Sequence, residues 1–412
     1  MKYPDTSGWW VGSRRGCTAR TTNVPHMTKK ISGLTEAQHV PDDGFESLGA
    51  LGQLRLAALC EALGLGAAGQ LEASSLFSSI SESWAQSRLG TDPPFPNDIT
   101  DDRTPFEFSV GFESETPELR LLFESRLAGN APSIRSSWEA GLNLQRQLRQ
   151  NSLIDTTRFE QVSPLFAPPA NLDGASVRFA LWHAVALRRT APPLFKAYVN
   201  PEVQGIGSAP ALVSEAFQRL NMSACSSFVQ DRLAHDTRIL YFSLDLEASR
   251  EARVKVYLSA DRADSVEALV QGSGNCPAHA ARGWLQTLAP DKDQFAERPI
   301  LVCLAFSGNN PTPKATVHVP IRCCVASDEV ALQRTVPLLP ERSARQLERA
   351  MRAVAARPLT ESKGVLTYVS LRPLGDRDQV RVTTYLAPCA YSPTSVSHRP
   401  STMTFAKVAG DS

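Results

Sequence analysis

The sequence predicts an α+β fold in which ten antiparallel strands close into one barrel with helices packed outside it. Three observations predict this. Strand-like stretches come as hairpin pairs, most of them followed by helical sequence. The first strands of the pairs begin near residues 104, 176, 238, 299 and 365, a step of roughly 60 to 70 residues. Along most strands, large apolar residues alternate with polar ones. An open sheet would satisfy the same count, but closure removes the unpaired edges, and a ten-strand barrel is wide enough to hold a ligand.

The first strand opens at Thr104, with Phe106, Phe108, Val110 and Phe112 on one face and Glu107, Ser109, Gly111 and Glu113 on the other. An edge strand with Glu107 in water is the plain alternative. The second strand, 118–123, sets Leu119, Leu121 and Phe123 against Arg120, and an amphipathic helix follows over 133–151. The second pair, 176–187 and 194–200, places Lys196 and Tyr198 opposite Phe195, Ala197 and Val199, and leads into helices over 209–234. The third pair, 238–246 and 252–259, sets Arg253, Lys255 and Tyr257 against Val254, Val256 and Leu258, before helices over 264–270 and 278–288. The fourth, 299–306 and 315–322, opposes Thr316 and His318 to Val317 and Val319, before helices over 328–338 and 341–355. The fifth, 364–372 and 379–388, carries Tyr368, Arg372, Arg381, Thr383 and Tyr385 on the matching side.

In a barrel clad by helices the apolar faces look outward, so the polar faces share a lumen. Glu107 then meets Arg120, Lys196, Arg253 and Lys255, with Arg372 and Arg381 beside them. Several fixed positive charges without a glycine-rich cradle suit a diphosphate held by ammonium groups and guanidinium forks. Four of the seven tyrosines, Tyr198, Tyr257, Tyr368 and Tyr385, fall on the same side. A ring of aromatic faces stabilises a carbocation by roughly 0.5 to 2 kcal/mol each. Ionisation of an allyl diphosphate uses both features.

Composition narrows the class. With 412 residues and 42% hydrophobic content the chain can bury a large core. The charge balance of 43 basic against 42 acidic residues gives no reason to expect nucleic acid or an anionic membrane as partner. Eight scattered cysteines without a C-x-x-C step suggest a reducing cytoplasm. Cys276 and His279 form one C-x-x-H step with no second half for a metal. Asp98, Asp101 and Asp102 are half of an Asp-rich motif and read as turn and cap residues. No apolar run approaches a membrane span. Residues 1–40 are expected to be a disordered extension, with Met27 a plausible alternative start, residues 41–391 one barrel domain, and residues 392–412 a flexible tail.

Thr104-Pro105-Phe106-Glu107-Phe108-Ser109, Lys196-Ala197-Tyr198, Arg253-Val254-Lys255-Val256-Tyr257, the segment from His318 to Glu329, and Thr384-Tyr385-Leu386-Ala387-Pro388 resemble, in that order, the motifs of the indole prenyltransferases of the dimethylallyltryptophan synthase type. The resemblance covers roughly residues 101–391 and implies the ABBA barrel, five αββα units around ten strands. It implies that Glu107 accepts the indole N–H. It also implies that Arg120, Lys196, Arg253, Lys255 and Arg381 hold the diphosphate, and that Tyr198, Tyr257, Tyr368 and Tyr385 shield the dimethylallyl cation. Two departures stand out: Thr316 and His318 occupy donor-pocket positions where fungal members carry Gln and Tyr, and His183 lies near the lysine that some members use as base. His183 as base competes with a buried core histidine, and His318 is a second proton-acceptor candidate. The expected protein is a cytoplasmic, metal-independent enzyme with no cofactor, a monomer or homodimer. It would transfer the dimethylallyl group of dimethylallyl diphosphate to tryptophan or a tryptophan derivative in secondary metabolism. Phenolic, indolactam or cyclic-dipeptide acceptors, a geranyl donor, and a non-catalytic barrel that binds an isoprenoid diphosphate are the alternatives.

Overall fold

The structure, a computed structural model, describes residues 46–391 apart from 91–92, 94–96, 114–115, 128–132, 170–176, 189–190, 234–236 and 376–378. The expected N-terminal extension and C-terminal tail lie outside the described residues. Ten strands occur in five hairpins: β1 (Phe106–Phe112) and β2 (Glu118–Phe123), β3 (Leu181–Ala186) and β4 (Leu194–Val199), β5 (Ile239–Asp245) and β6 (Arg253–Ala260), β7 (Ile300–Ser307) and β8 (Lys314–Val319), β9 (Leu366–Pro373) and β10 (Val380–Leu386). Each strand pairs antiparallel with its sequence neighbour, and β1 with β10 closes the barrel.

Each hairpin follows a pair of helices: α1 (Leu48–Leu63) and α2 (Gly66–Ser81), α3 (Ile134–Gln150) and α4 (Thr157–Phe166), α5 (Ala209–Arg219) and α6 (Ser223–Gln230), α7 (Ser265–Val270) and α8 (Ala278–Leu288), α9 (Asp328–Thr335) and α10 (Glu341–Val354). The αββα plan is thus complete, and the architecture is the ABBA barrel.

Alternation decides what faces where. Phe106, Phe108, Val110 and Phe112 point out of β1 and are buried beneath the helical coat, within one hydrophobic layer that runs around the barrel. Trp84 stacks on Phe106 at 5.2 Å, and Phe77 meets the same ring edge-on at 5.5 Å. Gly52 makes this packing possible, since a Cβ there would stand 2.2 Å from the Phe77 ring. A second, separate cluster of Ile99, Phe179 and Trp182 lies with Leu122, Tyr198 and Tyr241. Those last three residues are inward-facing, so this cluster belongs to the lumen.

Helices α1, α2 and α4 are absent from the sequence expectation, each for a physical reason. Helix α1 is buried on several faces, including Leu51, Arg55, Leu56, Leu59 and Leu63, which blurs any single apolar stripe. Helix α2 is rich in Gly and Ser, and α4 contains Pro164, ordinarily a helix breaker. The eighth strand ends at Val319 rather than residue 322, because Ile321–Cys324 turns into a 3-10 helix after Pro320. Among the described residues no helix is long and apolar enough to cross a membrane.

Candidate active site

Two cavities occupy the lumen, one toward each end. Among the described residues, the hairpin-turn end holds a cavity of about 330 Å³ lined by seven cationic side chains, among them Lys196, Lys255, Arg253 and Arg120, against one lining carboxylate, Glu251. The opposite end, where helical connections enter the strands, holds a cavity lined by Glu107, Trp182, Tyr241, Thr367 and Tyr368. Six residues line both: Arg120, Lys196, Tyr198, Tyr257, His318 and Tyr385. An aromatic belt therefore marks the boundary. Tyr198 and Tyr257 lie 5.9 Å apart, Tyr257 and His318 5.8 Å, His318 and Tyr385 5.7 Å, and Tyr385 and Tyr368 6.5 Å.

Glu107 projects inward from β1 and is 5% exposed. The Thr367 hydroxyl, on β9, donates to its Oε1 at 2.6 Å. Burial pushes the Glu107 carboxyl up to about 8, with the Thr367 hydrogen bond opposing. Trp182 stacks on Phe179 at 4.0 Å and forms part of the chamber wall.

In the hairpin-end, outer cavity burial drives Lys196 and Lys255 downward. Lys255 falls to about 8 under burial and the neighbouring Arg253 charge, and Lys196 falls well below the usual lysine range under burial, Lys255 and Arg120. Three carboxylates stand behind these cations. Asp245, paired with Lys196 across β4 and β5, accepts from Arg253 at 2.6 Å. Glu118 accepts from Arg120 and, at 2.9 Å, from Arg381, while Glu113 accepts from Arg381 and lies 3.4 Å from Arg372. Burial would raise Glu118 and Asp245, but the surrounding guanidinium and ammonium charges outweigh it and hold both at about 2. These carboxylates orient the forks and keep a dense set of positive charges from repelling itself. Gly111 leaves room for one of them, since a Cβ there would stand 2.7 Å from the Arg381 guanidinium.

Of the residues expected at the site, Glu107, Arg120, Lys196, Arg253, Lys255, Arg381, Tyr198, Tyr257, Tyr368, Tyr385, Thr316 and His318 all line one cavity or both. His183 does not. It points out of β3 on the same side as Leu181, fully buried, its Nε2 3.1 Å from the Gln145 amide nitrogen on α3, so the imidazole faces the helical coat and not the lumen. Trp182, its neighbour, takes the lumen face.

The alternation pattern also missed several lumen residues. Arg298, just before β7, lies 2.8 Å from Asp101 and 3.3 Å from Asp98, and Arg322 lies 2.7 Å from Asp101, all lining the inner chamber. Asp98 and Asp101 are thus more than turn residues. Asp102 does act as a cap, accepting from the Thr104 and Tyr391 backbone amides. Tyr241 turns inward because the β5–β6 register slips between Ile239 and Tyr241, so counting from the start of the strand puts it on the wrong face. Among the described residues no group of three His, Cys, Asp or Glu is placed to hold a metal ion.

A closed barrel that sets a buried carboxylate beyond an aromatic belt from a cationic cavity is an aromatic prenyltransferase. Residues 79–354 match the profile of the tryptophan dimethylallyltransferase family, and the chain belongs to that family. The 6-dimethylallyltryptophan synthase from Micromonospora olivasterospora, solved in complex with DMASPP and Trp, is 31% identical over 84% of this chain and 99% of its own, with a TM-score of 0.76. The 5-dimethylallyl tryptophan synthase from Streptomyces coelicolor, also solved with DMASPP and Trp, is 29% identical over 87% of this chain and all of its own, with a TM-score of 0.75. AnaPT from Neosartorya fischeri, 15% identical at a TM-score of 0.67, shares the fold. The search of curated proteins found no match.

Proposed function

We propose that this prenyltransferase ionises dimethylallyl diphosphate at the hairpin end of the lumen and alkylates the indole ring of L-tryptophan at the other, without a divalent ion. The observation that carries the reading is the aromatic belt between a chamber with one buried carboxylate and a cavity lined by cations. Arg120, Lys196, Arg253, Lys255 and Arg381 hold the diphosphate and stabilise the charge it gains as the allylic C–O bond breaks. Cationic side chains do here what bound metal ions do in Asp-rich isoprenyl synthases. Tyr198, Tyr257, Tyr368 and Tyr385 face the cation and keep water from it. Thr316 extends the polar wall on the donor side.

Glu107 accepts the indole N–H, which raises electron density in the ring and orients it over the donor. The amino-acid end meets the charged cluster at the chamber mouth: Arg298 and Arg322 suit a carboxylate, Asp98 and Asp101 an ammonium. Residues 41–391 act as one catalytic domain on this reading.

Purified protein incubated with dimethylallyl diphosphate, with or without EDTA, should add one isoprenyl unit to L-tryptophan in preference to a cyclic tryptophan dipeptide or a phenol. A product that vanishes on chelation would remove the metal-independent step. Faster turnover with geranyl diphosphate would reassign the donor, and diphosphate binding without any product would leave a binding barrel.

A further inference from the structure

We infer that His318 is the base that takes the proton lost by the indole ring after alkylation. The inference rests on the tryptophan reading above. Forming the new C–C bond leaves the attacked ring carbon bearing both its hydrogen and the isoprenyl group in a cationic arenium ion. Aromaticity returns only when that C–H bond breaks and its electron pair re-enters the ring.

The acceptor of this proton must reach the ring from near the donor carbon. Glu107 is taken up by the indole N–H. The belt tyrosines are poor acceptors, since burial holds the phenols of Tyr257 and Tyr385 in the protonated state. Lys196 and Lys255 face the diphosphate. His318 remains. It projects inward from β8, lies across the ladder from Leu301 and Ser370, and is 8% exposed. It lines both chambers, and the Tyr257 and Tyr385 rings flank it at 5.8 and 5.7 Å, which puts the imidazole where the allyl cation meets the indole. Burial, with the Lys255 and Arg120 charges, lowers its pKa to about 3, so the ring is neutral and able to accept. A weak base suffices, because an arenium ion is a very strong acid.

The step balances without a co-reactant. The allylic C–O bond breaks to release diphosphate, the C–C bond forms, the ring C–H electron pair restores the aromatic sextet, and the proton passes to an imidazole nitrogen. Because His318 also borders the outer cavity, the imidazolium lies beside the departing diphosphate and can hand the proton on to it.

The test uses His318→Ala and His318→Asn with tryptophan deuterated around the indole ring. The expected result is a fall in kcat of about 10²-fold, with inorganic diphosphate still bound and a primary isotope effect on product formation larger than in the parent enzyme. A variant that turns over at the parent rate overturns the assignment, as does a slow variant with equal rates on both isotopologues. Loss of diphosphate binding in both variants would place His318 in donor binding and overturn it too. Failure of the parent enzyme to prenylate tryptophan would instead sink the reading on which the inference rests.

Discussion

The two ends of the lumen are built from the same ten strands, yet they hold their charges differently. At the hairpin end the cations sit on strands at regular inward positions, Arg120 on β2, Lys196 on β4, Arg253 and Lys255 on β6, and Arg381 on β10, with carboxylates one rung or one turn away. At the other end Asp98 and Asp101 come from a loop, Arg298 from the approach to β7 and Arg322 from a 3-10 turn, and only Glu107 stands on a strand. A sheet scaffold suits the invariant half of such a reaction, a diphosphate that must always be held and released. Loops suit the half that distinguishes one acceptor from another.

The sharpest break in this comparison is on the donor side. Lys196→Ala removes a buried ammonium from the middle of the cationic set and leaves Asp245 under-neutralised. The kcat/KM for dimethylallyl diphosphate should fall about 10²-fold, with little change in tryptophan KM. Equal losses for the two substrates would mean that the ends are not functionally separate.

On the acceptor side the effect is smaller and depends on the acceptor. Arg298→Gln should raise the KM for tryptophan about tenfold, while 3-methylindole, which lacks the amino-acid end, should be used as well as before. A parallel loss on 3-methylindole would demote Arg298 to a structural ion pair with Asp98 and Asp101.

The same division explains what the sequence made legible. Inward alternation on regular strands exposed Glu107, the donor-side cations and four of the tyrosines, because period two is a local property that survives folding. It failed where the backbone leaves that period. Tyr241 follows a register slip, Arg322 a 3-10 turn, and Asp98 and Asp101 a loop whose path depends on distant partners. Which of Trp182 and His183 faces inward is not legible from the sequence, because both faces of β3 are buried, and burial on both faces erases the polar signature of the lumen. Glu113 shares the Glu107 face in the alternation, but Glu118 and Asp245 carry no such signal, because a carboxylate at a strand end ordinarily faces water. Here each one meets a guanidinium.

The smallest effect separates the ends by pH. Burial raises Glu107 to about 8, so its carboxyl is mostly protonated at neutral pH in the free enzyme and becomes a full-strength acceptor as pH rises through that value. Burial and the Arg253 charge lower Lys255 to about 8, so its ammonium loses charge over the same interval. The signs are opposite: kcat/KM for tryptophan should climb with pH and level off near 8, while kcat/KM for dimethylallyl diphosphate should fall as pH rises through that value. Because kcat/KM reports the free enzyme, two separately measured profiles resolve the two groups even though their midpoints coincide. Glu107→Gln should lower turnover and flatten the tryptophan profile, and Lys255→Met should flatten the donor profile. An ascending tryptophan limb that survives in Glu107→Gln would assign the titration elsewhere. Two parallel profiles in the parent enzyme would mean that one group, acting on both substrates, governs the lumen as a single compartment.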